Sequence, residues 1–126
     1  MIKTTGVYHI GIPADDLERA ERFYTQVLGM TVQGRAAEGG SRLSRLQCGD
    51  ETVVLFQRPR TLERNGLKED GIAHNAFEVE QGTFDEAMAF LKREGYFHEG
   101  PIVRESGSAA YFFDSEGNYQ QIHCKS

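Results

Sequence analysis

The sequence predicts an α+β fold built from two βαβββ modules. Three observations predict it. The order strand, amphipathic helix, three strands occurs twice along the chain. A histidine on the first strand of each half stands at nearly the same distance from the glycine that closes the following helix, 20 residues from His9 to Gly29 and 21 from His74 to Gly95. The last strand alternates, with Tyr119, Gln121 and His123 on one face and Gln120, Ile122 and Cys124 on the other. Each helix is expected to cover one face of its four strands, while the other faces curl together as a mixed, cavity-lining sheet. The 126 residues then form one domain, with module one at about 6–58, a linker at about 59–70 and module two at about 71–126.

In the first module, residues 7–13 read as a strand with Tyr8, Ile10 and Ile12 as its apolar row and Val7, His9 and Gly11 facing the other way. Asp15 and Glu18 fit a capping-box-like helix start. Leu17, Ala20, Phe23, Tyr24, Val27 and Leu28 recur at helical spacing, and Gly29 is placed to end the helix. Strands are expected at 30–35, 42–48 and 52–57, with turns at Gly39-Gly40 and Gly49-Asp50. Residues 52–56 are apolar on both faces, which suits a central strand. Residues 58–71 are polar, of mixed charge, and read as a surface connection.

The second module repeats the plan. A strand is expected at 72–79 and contains His74. Thr83 with Glu86 fits a capping box, Phe84, Ala87, Met88, Phe90 and Leu91 form the helical stripe, and Gly95 closes it. Strands follow at 101–104, 108–113 and 119–125, the last two joined by the turn residues Ser115-Glu116-Gly117-Asn118. His98 falls on a surface loop and receives no role.

Composition narrows the function. The net charge of −5 counts against nonspecific nucleic-acid binding, which needs a basic face. No apolar run approaches the roughly 18 residues that span a membrane, and no signal-peptide core follows Met1, so no membrane partner and a cytoplasmic location are expected. The two cysteines, Cys48 and Cys124, both fall in strands and read as reduced thiols. No nucleophile with an adjacent base and no phosphate-cradling glycine loop appears. His9, His74 and the polar face of the last strand are the residues that stand out.

The chain resembles the vicinal oxygen chelate superfamily, which includes glyoxalase I, fosfomycin-resistance transferases, extradiol dioxygenases and metal-free bleomycin-binding proteins. The resemblance rests on Tyr8-His9-Ile10-Gly11-Ile12 leading into residues 16–24 and Val27-Leu28-Gly29-Met30, on Gly71-Ile72-Ala73-His74-Asn75-Ala76-Phe77, and on Phe113-Asp114-Ser115-Glu116-Gly117-Asn118. It implies the glyoxalase/bleomycin resistance/dioxygenase fold and a divalent metal held by His9, His74 and a residue seven positions after Asp114. Relatives carry glutamate there; this chain carries Gln121. A ligand set of two imidazoles and one amide adds no negative charge, and it leans toward Zn, Ni, Co or Fe with Mn less favoured.

The resemblance also implies a substrate contact at Tyr111, and Phe113 shares its strand face. Some relatives add a metal ligand on the fourth strand, near Leu55 or Gln57, of which only Gln57 could coordinate; Gln57 is otherwise expected to contact substrate. His123 shares the face of Gln121 and is expected to contact substrate, or to be a substitute ligand, a partner of the ligands or an exposed terminal residue. Arg104-Glu105-Ser106-Gly107-Ser108 is similar to an oxyanion-gripping loop of the fosfomycin-resistance transferases, although Gly11 and Ala109 replace a threonine and a serine of those enzymes. The expectation is a metal-dependent enzyme acting on a small oxygen-rich substrate, as a homodimer, with lyase, isomerase, transferase and dioxygenase chemistry all open. The alternative is a metal-free small-molecule binding protein of the bleomycin-resistance type, its cavity lined by Tyr111, Phe113, Leu55 and Gln121.

Overall fold

The computed structural model describes residues 1–38, 41–58 and 73–126. The expected turn at Gly39-Gly40 and nearly all of the expected linker lie outside the described residues. The chain divides into two compact units, residues 1–63 and 64–126, and each has the expected βαβββ order.

The first unit contains β1 (Ile10–Ala14), α1 (Leu17–Gln26), β2 (Thr31–Glu38), β3 (Ser41–Cys48) and β4 (Glu51–Gln57). They form a four-stranded sheet in the order β1-β4-β3-β2, with β1 parallel to β4 and the other pairs antiparallel. The apolar strand β4 is central, as its two-sided hydrophobicity requires. Ile12 pairs with Leu55 on the face that α1 covers, and Ile12, Leu55, Val53, Leu46, Phe23 and Tyr24 are buried there. Each such side chain taken from water contributes about 1.5–3 kcal/mol.

β1 begins three residues later than the sequence suggests. Val7 and Tyr8 are exposed, so the apolar row starts at Ile10 and runs through Ile12 to Ala14. The cap of α1 also differs from expectation. Asp16, not Asp15, is the N-cap, and its carboxylate accepts from the Arg19 backbone N–H at 3.0 Å. Gly29 has φ of 70°, which lets the Met30 N–H reach back to the Tyr24 carbonyl at 3.0 Å and stop the helix. Over the α1 face, Arg35 binds Glu21 and Arg42 binds Glu18, and Ser44 Oγ donates to Glu21 at 2.7 Å. The Arg42 guanidinium holds the Glu18 carboxyl down at about 2, and Arg35 holds that of Glu21 below its ordinary value.

The second unit contains β5 (Asn75–Glu78), α2 (Phe84–Arg93), β6 (Phe97–Arg104), β7 (Gly107–Phe113) and β8 (Tyr119–Lys125). Its sheet order is β5-β8-β7-β6, with β5 parallel to β8, so the last strand is central. α2 packs across β6 and β7, and Phe77, Phe84, Leu91, Ala110, Phe112 and Ile122 form the core. The amide of Gln120, 1% exposed on the core face, accepts from the Asn75 backbone N–H at 3.0 Å, which ties β8 to the start of β5.

Two expectations are corrected here. Thr83 precedes α2 but makes no side-chain cap; its hydroxyl donates to the Glu80 carbonyl at 2.6 Å. Acidic residues at 85 and 86 supply favourable charge at that helix end instead. β6 begins at Phe97, not at 101, so His98 lies within a strand. Register shifts between Phe97, Glu99 and Ile102 explain why its alternation is hidden in the sequence. Among the described residues no helix is long and apolar enough to cross a membrane.

Candidate functional site

Strand register in the second unit decides which side chains share a face. Gln121 on β8 is paired with Tyr111 on β7 and Ala76 on β5. Tyr119 is paired with Phe113, and His123 with Ala109 and Glu78. All of these point away from the Phe112 and Ile122 core. His74, one residue before β5, belongs to the same side by its spacing from Ala76.

The turn before β8 fixes the approach of that strand. Asp114 is 4% exposed, and its Oδ1 accepts from the backbone N–H groups of Glu116 and Asn118, each at 2.8 Å. Its Oδ2 accepts from Asn118 Nδ2 at 2.9 Å. Gly117 supplies the positive φ, at 81°. The run Asp114-Ser115-Glu116-Gly117-Asn118 is therefore a side-chain-closed turn that delivers Tyr119 and Gln121 to the open face.

His74 Nε2 lies 2.9 Å from Gln121 Oε1. An amide oxygen only accepts, so the imidazole donates from Nε2. Gln121 is 8% exposed while His74 stands open at the edge of the sheet. The His74 ring meets Tyr111 edge-on at 5.4 Å and Tyr119 at 6.2 Å. Tyr111 and Tyr119 stack at 5.4 Å with planes 12° apart. Phe113 and His98 complete the group, each packed on Tyr119, at 5.1 and 5.5 Å. Burial pushes the Tyr119 phenol above its ordinary value, and the Glu99 carboxylate and Tyr111 push it further.

His123, one step along the same face, is not a loose terminal residue. Its Nδ1 is hydrogen-bonded to Glu78 Oε1 across the β5–β8 pair. Such a carboxylate fixes the imidazole's orientation and leaves its other nitrogen facing outward.

The structure thus brings His74, Gln121, Tyr111, Phe113 and His123 to one face, and it adds Tyr119, His98 and Glu78, which the sequence reading leaves without roles. Tyr119 was findable, because it shares the parity of Gln121. His98 was hidden by the irregularity of β6, and Glu78 by the absence of any local pattern. The structure does not bring Gln57 to an open face. Gln57 shares the α1 side with Leu55; its Oε1 accepts from the Leu17 N–H at 3.3 Å and its Nε2 donates to the Asp15 carbonyl at 2.6 Å. Leu55 is fully buried in the core beside it, not part of a cavity lining.

His9, in the first unit, is exposed just before β1, with the Tyr8 ring tilted against it at 5.2 Å. Gly11 lies two residues on, and a Cβ there would stand 3.3 Å from the Phe56 ring. The ring fills the space that a threonine would take at that position. The resemblance to an oxyanion-gripping loop falls on a tight β6–β7 turn. There Gly107 has φ of 139°, and a Cβ on it would stand 2.0 Å from the Cys124 carbonyl oxygen.

Among the described residues no group of three or more His, Cys, Asp or Glu is placed to hold a metal ion. The His74–Gln121 pair nevertheless fits one as two donors. Ligand atoms about 2.1 Å from an ion and about 90° apart lie about 3 Å from each other, close to the spacing seen. Both donors are neutral, which favours an ion that accepts imidazole.

Two successive βαβββ units in one chain define a class. The sequence profile of the Glyoxalase/Bleomycin resistance protein/Dioxygenase superfamily matches residues 6–122, and the chain belongs to that superfamily. It is 27% identical over 116 residues to the glutathione transferase FosA of Serratia marcescens, covering 91% of this chain and 77% of that protein. The fold matches a glyoxylase/bleomycin resistance protein/dioxygenase domain from Frankia sp. EAN1pec with a TM-score of 0.82, at 20% identity, over 98% of this chain and 94% of that one. It also matches a glutamate-to-glutamine mutant of the fosfomycin resistance protein FosX from Listeria monocytogenes, complexed with Mn(II) and 1S,2S-dihydroxypropylphosphonic acid. That match has a TM-score of 0.77, at 16% identity, over 98% of this chain and 95% of that one.

Proposed function

We propose that the chain is a metal-dependent vicinal oxygen chelate enzyme with His74, Gln121 and His9 as its candidate metal ligands. The observation that carries this reading is the 2.9 Å separation of His74 Nε2 and Gln121 Oε1, two donors of the right kind at the spacing of neighbouring ligands. The Mn(II) complex of FosX supports it by analogy of fold. A divalent ion bound there supplies Lewis-acid polarisation of two neighbouring substrate oxygens.

The chain's own residues do the rest. To hold the ion through Nε2, His74 would adopt the tautomer that carries its proton on Nδ1. Gln121 is held in register by β7 on one side and β5 on the other. Tyr119, with its raised pKa, keeps its hydroxyl proton at neutral pH and offers a hydrogen-bond donor rather than a base. The substrate is a small oxygen-rich molecule, and a homodimer is the assembly proposed for the chain. The net charge of −5 goes with a small-molecule substrate rather than nucleic acid.

A second reading has its own support. The His74–Gln121 hydrogen bond already engages both side chains, and the half-buried rings beside it form a ready ligand surface without any ion. This is the metal-free binding protein.

Metal analysis of protein purified without chelator separates the two. The enzyme reading expects about one divalent ion per site, lost in both His9→Ala and His74→Ala. Background metal in the unsubstituted protein would leave the binding reading.

A further inference from the structure

We propose that Tyr119 is a specificity-determining residue, and that the ring cluster centred on it receives a flat, uncharged apolar substituent carried beside the substrate's chelating oxygens. The inference rests on the metal-site reading above and names the substrate class of that same site.

Tyr119 is the hub of the cluster. It packs against His74, Tyr111, Phe113 and His98 with centroid distances between 5.1 and 6.2 Å. None of the three Tyr and Phe side chains is sealed: each is half-buried on a face that α2 does not cover. Aromatic surface left in this state gains from a further flat partner, which adds area and ring-to-ring contact together. The cluster is also continuous with the candidate ligands. The imidazole whose Nε2 meets Gln121 is the same ring that stands edge-on to Tyr111 and Tyr119. A ligand whose oxygens sit at His74 and Gln121 therefore carries its substituent onto phenol rings within one ring's width.

Charge selects further. Glu99 on β6 is paired with Tyr111 on β7, so a carboxylate-bearing residue stands beside the cluster. An anionic substituent would be repelled, unlike the phosphonic acid crystallised with FosX.

The test is calorimetric titration of the full chain with Mn(II), then with acetohydroxamate, benzohydroxamate and 4-carboxybenzohydroxamate. These three probes present the same two neighbouring oxygens and differ only in the substituent. Benzohydroxamate is expected to bind about tenfold tighter than acetohydroxamate, and the added carboxylate to remove most of that gain. Tyr119→Ala should bring the ratio below about threefold, while Tyr119→Phe retains it; Tyr119→Leu serves if the alanine variant does not fold. Equal binding of the methyl and phenyl probes overturns the proposal, as does a ratio that survives both Tyr119→Ala and Tyr119→Leu. A carboxylated probe as tight as benzohydroxamate overturns the charge selection. The Mn(II) titration by itself reports on the metal reading. Should no ion bind, the phenyl-to-methyl ratio measured on metal-free protein still decides the aromatic subsite, and failure of both probes there overturns it.

Discussion

His74 Nε2 and Gln121 Oε1 stand 2.9 Å apart, joining a residue just before β5 to the middle of its parallel neighbour β8. The contact depends on register. Ala76 is opposite Gln121, so His74, two residues earlier, falls within reach of the amide. A shift of one residue would send Gln121 into the core and bring Gln120 or Ile122 to the open face. Everything that holds β8 in place therefore acts on the site.

The Asp114 turn is the first such device. Its carboxylate is buried and accepts three hydrogen bonds within the turn. Asp114→Ala should lose about 2–3 kcal/mol of stability, because it leaves donors of Glu116 and Asn118 unsatisfied in a buried setting. Urea denaturation checks this. A midpoint unchanged from the unsubstituted protein would mean that the turn is held by its backbone alone.

Gln57 gives a contrasting case. The sequence suggests a metal ligand or a substrate contact, but the side chain satisfies the first N–H of α1 and the Asp15 carbonyl. Gln57→Ala is expected to cost about 1–2 kcal/mol in stability and to leave metal content unaltered. Loss of bound metal without loss of stability would return Gln57 to the site.

Glu21 predicts a pH effect. Hydrogen bonds from Arg35, and secondarily from Ser44, hold its carboxyl below the ordinary 4.5. The folded state thus releases the proton more readily than the unfolded state. Its contribution is present above about pH 4.5 and fades as the pH falls below that value. Glu21→Gln should be less stable by about 1 kcal/mol near neutrality, with the difference shrinking in acid. Denaturation midpoints at about pH 7 and about pH 3 measure it. A difference that is constant with pH would contradict the assignment.

Much of the fold was legible because the signals were local. The stripes of α1 and α2, the stopping glycines Gly29 and Gly95, and the alternation of β8 each lie within a dozen residues. The central place of β4 followed from its two-sided apolarity. Parity within each strand put Tyr111 and Phe113 on one face of β7, and Tyr119, Gln121 and His123 on one face of β8.

What escaped was non-local or irregular. Asp16 and Asp15 are equivalent on paper; only the chain's entry angle makes one of them the cap. Gln57 sits at the end of a strand apolar on both faces, so sequence offered no face for it. β6 carries two register shifts that mask His98. The Glu78–His123 pair spans 45 residues and needs the β5–β8 register to appear.

The central claim is that His74 and Gln121 are ligands of one divalent ion. Titration of Mn(II) into the chelator-treated chain, followed by calorimetry, tests it most directly, with His74→Ala and Gln121→Glu alongside. The account predicts measurable binding, its loss in His74→Ala, and an affinity at least about tenfold higher in Gln121→Glu, where a carboxylate replaces a neutral amide. Affinity that is unchanged in both variants would contradict it.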